Sequence, residues 1–146
     1  MKPARTMIAA VAAGLALTGC ASTSNFTEQQ ELAMYRAHAG APVTSFRFFG
    51  NVDRFTPLGE EAMVVWTRPK EAWLLEFYGP CHNLDFAHLV GITSQAGRVY
   101  ARFDEVVVRQ RPEYPPCRIR EIRPLDVTAL RQAERALRAQ EPPSGT

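Results

Sequence analysis

Residues 63–78 read Met63-Val64-Val65-Trp66-Thr67-Arg68-Pro69-Lys70-Glu71-Ala72-Trp73-Leu74-Leu75-Glu76-Phe77-Tyr78. β-branched, aromatic and aliphatic side chains fill both ends. Between them Arg68-Pro69-Lys70-Glu71 has the form of a turn with proline at its second position. The stretch therefore reads as a β-hairpin. If Thr67 and Ala72 close the turn, Trp66 faces Trp73 across it, and such a packed pair contributes up to ~1 kcal/mol. Two adjacent tryptophans would also make a platform for a ligand such as a sugar, but the packed pair is the simpler reading.

The same period extends outward. Phe46 and Phe48 alternate with Arg47 and Phe49. After the hairpin, Gly79-Pro80 ends the strand, and residues 81–86 form a turn or one helical turn. Residues 89–93, 99–101 and 105–109 read as short strands, and Gln95-Ala96-Gly97 as a turn. A proline-rich loop covers 111–116, and a last strand covers 117–123 until Pro124 breaks it. Helices flank this array. Thr27 and Gln30 form a capping box for a helix to about residue 38 that stops at Gly40, with Leu32, Tyr35 and Ala39 on one face. Asp126 caps a final helix with Leu125 and Leu130 as a hydrophobic staple. Val127, Leu130, Ala133 and Leu137 mark its buried face, and Arg131, Arg135 and Arg138 its wet face. Strand runs without alternating helices predict an α+β fold. Its mostly antiparallel strands, about six, form a curved sheet or small barrel, closed by one disulfide, with a helix at each end.

The N-terminus follows a different logic. Lys2 and Arg5 precede an apolar run from Met7 to Leu17, too short to span a bilayer, and small residues follow. This is the three-part pattern of a secretory signal. Leu17-Thr18-Gly19-Cys20 resembles the bacterial lipobox, which implies cleavage between Gly19 and Cys20 and a diacylglycerol on the Cys20 sulfur. Several acyl chains anchor firmly where one alone holds marginally. Ala21 after the cysteine leans toward the outer membrane. The expected division is a signal at 1–19, a lipidated tether at 20–26, one α+β domain at 27–141 and a disordered tail at 142–146. The expected location is the cell envelope, facing the periplasm.

Removing residues 1–19 from the 146 leaves 127, enough for one modest core. It also takes Lys2 and Arg5 from the 17 basic residues, so 15 basic face 15 acidic. That balance gives no argument for nucleic acid as a partner. Of the three cysteines, lipid claims Cys20. In an oxidising compartment Cys81 and Cys117 are expected to pair, and closing a loop of ~37 residues would stabilise the fold by ~3–4 kcal/mol. The rival reading is a reactive Cys81, because His82 lies beside it.

Two clusters invite a chemical reading. Cys81, His82, Asp85 and His88 bear ligand-type side chains, and on a helical segment Cys81, Asp85 and His88 would share a face. A metal there would require Cys81 to forgo its disulfide, so neither metal nor cofactor is expected. Arg109, Arg111, Arg118, Arg120 and Arg123 gather around the last hairpin as a surface for an anionic envelope component or acidic partner. Glu105, Glu113 and Glu121 would offset them on an ordinary solvated face. Local motifs for serine hydrolases, zinc proteases, phosphate loops and dinucleotide binding are absent, and no spacing selects two of Asp53, Glu60, Glu61, Asp85 and Asp104 as a catalytic pair.

Gly79-Pro80-Cys81, Arg102-Phe103-Asp104, Cys117-Arg118-Ile119 and Ile122-Arg123-Pro124-Leu125-Asp126 resemble a family of small proteobacterial lipoproteins catalogued as a domain of unknown function. The likeness covers roughly residues 43–126 and the lipobox. It implies an anchored, disulfide-closed periplasmic module with its paired cysteines at Cys81 and Cys117, and it supplies no catalytic residues. The expected function is a non-catalytic, lipid-anchored binding or accessory module that meets the membrane through Cys20 and an envelope protein or anionic component. The alternatives are a hydrolase or metal-dependent enzyme at His82, Asp85 and His88, and an inhibitor that presents a disulfide-closed loop.

Overall fold

The computed structural model describes residues 23–109 and 114–140. Gly19, Cys20, the start of the expected tether, Arg111 and the 142–146 tail lie outside the described residues. Helix α1 (Thr23–Ala37) is followed by strands β1 (Ser45–Arg47), β2 (Arg54–Leu58), β3 (Ala62–Arg68) and β4 (Glu71–Phe77). A 3₁₀ turn (Leu84–Phe86) then leads to β5 (Val90–Ile92), β6 (Arg98–Tyr100), β7 (Glu105–Val108), β8 (Cys117–Pro124) and helix α2 (Val127–Gln140). Six strands form one antiparallel sheet in the order β2-β3-β4-β8-β7-β5, curled into a half-barrel and flanked by the two helices. β1 and β6 make a separate ribbon with Phe46 opposite Val99.

The β3–β4 hairpin is central because both its faces are covered. One face joins a core with Phe46, Leu75, Val99, Ile119 and Ile122. The other joins Leu32, Tyr35, Val64, Leu74 and Leu130 beneath the helices. A strand enclosed on both sides needs apolar residues at successive positions, as Met63-Val64-Val65-Trp66 supplies. Fully burying each such side chain contributes roughly 1.5–3 kcal/mol.

The tryptophans do not face each other. Trp66 pairs with Ala72 and Val65 with Trp73, because a bulge between Trp66 and Arg68 absorbs one residue. Strand side chains alternate, so a one-residue slip sends the two indoles to opposite faces. Trp66 is buried on the helix side with the Arg54 guanidinium 4.2 Å from its ring centroid. Trp73 stacks on Phe46 at 5.0 Å in the other core. The bulged Thr67 donates its hydroxyl to Glu71.

Cys81 and Cys117 form a disulfide, with their Cα atoms 5.3 Å apart. It ties the loop after β4 to the start of β8, a separation of 36 residues. The helix ends differ in fidelity to the sequence reading. Asp126 Oδ1 accepts the Ala129 N–H at 3.0 Å, the N-cap expected for α2, and Leu125 and Leu130 join one cluster. Leu137 is exposed, however, so the apolar stripe of α2 outlasts the surface that receives it. Helix α1 starts at Thr23, a turn before the Thr27 capping box. Tyr35 on α1 donates to Glu134 on α2 at 3.1 Å, and burial followed by the Glu134 carboxylate raises its pKa. Strand β2 was not expected, because Pro57 interrupts it. As an end strand it needs ladder bonds on one side alone, which is where proline is tolerated.

Candidate functional site

Two clefts formed by the described residues each collect residues from the sequence clusters. The first, about 710 Å³, lies between α1, the β2–β3 turn and the end of β4. Glu28 and Arg36 line it from α1, Glu60 and Glu61 from the turn, and Tyr78 and Arg120 from the sheet. Behind them lies Glu76, a buried carboxylate. It accepts the Arg36 Nε–H at 2.6 Å and lies 3.5 Å from Arg120 Nη2. Arg36 also lies 3.7 Å from Glu61. A buried charge is tolerated only with such partners, so both arginines are held by the fold.

At the edge of this cleft stands part of the histidine cluster. His82 Nδ1 is 3.1 Å from Glu60 Oε1. Asp85 accepts the Gly59 backbone N–H. Partial desolvation, then the Glu60 carboxylate, holds its pKa above the usual value against that bond. His88 is not there; it lines the second cleft. The Cys81 sulfur is buried in the disulfide. The four ligand-type residues thus divide among three places. Among the described residues no group of three or more His, Cys, Asp or Glu side chains is placed to hold a metal ion.

The arginines also divide. Arg118 and Arg120 are exposed on either side of the buried Ile119, as the alternation requires. Arg118 lies 3.3 Å from Glu105. Arg123 donates to the carbonyls of Gly40 at 2.8 Å and Ala39 at 3.2 Å, fastening the segment after α1. Arg109 stands apart from these. Among the described residues no hydrogen bond, ion pair or ring contact engages its side chain.

Arg109 belongs to the second cleft, about 580 Å³, at the seam of the half-barrel. Its walls are the two end strands of the sheet, β2 and β5, which no ladder joins. Phe48 and residues 50–53 and 88–89 complete it. Val52, Phe55 and Ile92 are half-buried and pack against the first core, so the base of the cleft is apolar. Leu89, His88 and Arg109 are exposed at its rim. Gly91 faces the arginine: a Cβ there would lie 3.0 Å from Arg109 Nε and 3.2 Å from Nη2. The absent side chain makes room for the guanidinium beside β5. Glycine inside a strand marks such close approach.

Three residues have roles that the sequence did not assign to them. Glu76 sits among Leu74, Leu75 and Phe77, and an acid within an apolar strand is itself a signal of buried partners. Asp104, 2% exposed, accepts the Thr93 hydroxyl at 2.8 Å and the Tyr100 N–H at 2.7 Å. It fixes the turn in which Arg102 adopts φ 72°. Gly91 inside the 89–93 strand run was a cue to close approach, but its partner Arg109 lies on the neighbouring strand's end and could not be named from the run alone.

The model of the Family of unknown function (DUF6491) matches residues 3–141. No curated protein and no solved structure matches the chain. With nearly its whole length matched, the chain belongs to this family of unknown function.

Proposed function

We propose that this protein is a lipid-anchored, envelope-associated binding module that receives its ligand in the seam between β2 and β5 and performs no catalysis. The seam carries this reading: an apolar base closed by the core, with Arg109 at the rim engaged by no side-chain partner among the described residues. Pre-formed clefts of ~300–1,000 Å³ with a few polar groups are the usual form of small-ligand sites. The anchoring part rests on Leu17-Thr18-Gly19-Cys20 and on a disulfide suited to an oxidising compartment. Helix α1 starts at Thr23, so lipid on Cys20 would hold the domain close to the membrane surface.

A photoreactive residue at Leu89, in cells, tests the seam, with the same residue at Tyr78 testing the first cleft. The reading predicts a discrete adduct at Leu89. An adduct at Tyr78 alone would contradict it. Cys20→Ser should move the chain from the membrane to the soluble fraction, and unchanged membrane association would remove the anchor.

A further inference from the structure

We infer that the ligand of the seam is a small anionic amphiphile: one carboxylate or phosphate head on an apolar body. This rests on the seam being a binding site and names what it takes. The polar end is set by Arg109, whose fork of N–H donors suits carboxylate and phosphate oxygens and has no partner among the described residues. Gly91 leaves that fork room beside β5. His88 lines the same cleft and offers a further ring nitrogen. Among the described residues Asp53 is the single carboxylate in the lining, and the Arg54 guanidinium is turned to Trp66.

The apolar end is set by Val52, Phe55 and Ile92, half-buried against the core, with Leu89 exposed above them. Charge at the rim and apolar side chains at the base match a molecule with one charged end. A peptide adding itself as a strand fits less well. β5 has three residues and β2 carries Pro57, and short or proline-bearing end strands resist pairing.

The test is calorimetric titration of the full chain carrying Cys20→Ser with octyl phosphate, octanoate, octyltrimethylammonium and inorganic phosphate. The inference predicts one-to-one binding of an octyl anion, with octyltrimethylammonium and inorganic phosphate each about tenfold weaker or worse. Octyl phosphate above octanoate would point to a phosphate-headed source, and the reverse order to a carboxylate. Arg109→Gln, an exposed position, should weaken the anion about tenfold or more. Leu89→Ser should weaken the octyl anions and leave any response to inorganic phosphate unchanged. Equal binding of the cationic amphiphile, inorganic phosphate as tight as octyl phosphate, or undiminished binding by Arg109→Gln would overturn it. An adduct at Leu89 in cells alongside no octyl-anion binding would overturn the ligand class and leave the binding site standing.

Discussion

Arg109 fills the space that a side chain on Gly91 would take, with a Cβ there 3.0 Å from its Nε. The neighbour is the end of a flexible side chain, and Gly91 is absent from the positive-φ residues. Gly91→Ala should therefore fold normally, with a melting temperature within about 2 °C of the parent. It should displace the guanidinium and weaken the binding of an octyl anion. Thermal melts and calorimetry on one preparation separate the two effects. A large loss of stability would show that the contact serves the fold.

Glu76 on β4 joins α1 through Arg36 and meets Arg120 of the neighbouring strand β8. Arg36→Ala leaves a buried carboxylate with one weaker partner, and should cost about 1–3 kcal/mol in urea unfolding. Arg120→Ala should cost less, since its contact is longer and half of its side chain is in water. With Glu76→Leu as background, Arg36→Ala should cost almost nothing. A full cost there would mean that Arg36 stabilises the fold by other contacts.

Asp104→Ala removes the acceptor of the Tyr100 N–H and the Thr93 hydroxyl. The half-buried Tyr100 N–H and the exposed Thr93 hydroxyl then lose their acceptor, and unfolding should become easier by about 1–3 kcal/mol. Asp104→Asn keeps one acceptor oxygen and should fall between. Equal stability of all three proteins would contradict this account of the turn.

Glu31 lies on α1. Burial first, then the carboxylates of Glu134 and Glu28, raises its pKa from the ordinary 4.5. A carboxyl group raised in the fold contributes stability below its unfolded value, and that contribution is lost as pH rises through the folded value. At pH 7 Glu31→Gln should therefore be more stable than the parent, by a few tenths of a kcal/mol. The gain should shrink as pH falls through the carboxyl range. Urea melts across that range check the sign, and a gain that grows in acid would refute it.

The sequence was most legible where local chemistry and tertiary structure agree. Asp126 caps α2 because its side chain meets the third N–H of its own helix, a relation contained within four residues. The disulfide followed from the cysteine count and the implied compartment. The Trp66–Trp73 pairing failed because a bulge adds one residue, and only the ladder geometry reveals it. β2 was hidden by Pro57, since a strand's position in the sheet decides whether proline is tolerated. The arginine cluster was visible, but its division was not. Arg120 is held by Glu76 from another strand and Arg123 by carbonyls more than 80 residues away, and adjacency in sequence records neither. The seam itself depends on strand order, which no stretch of the chain encodes by itself.

Amide hydrogen exchange tests the binding site without presuming its ligand. The full chain would be compared in its native envelope vesicles and after purification away from envelope components. The account predicts slower exchange in the vesicles at residues 50–55 and 88–92, the walls of the seam, and no change of that kind around residues 59–61 and 78–80. Protection at the first cleft with the seam unchanged would contradict it.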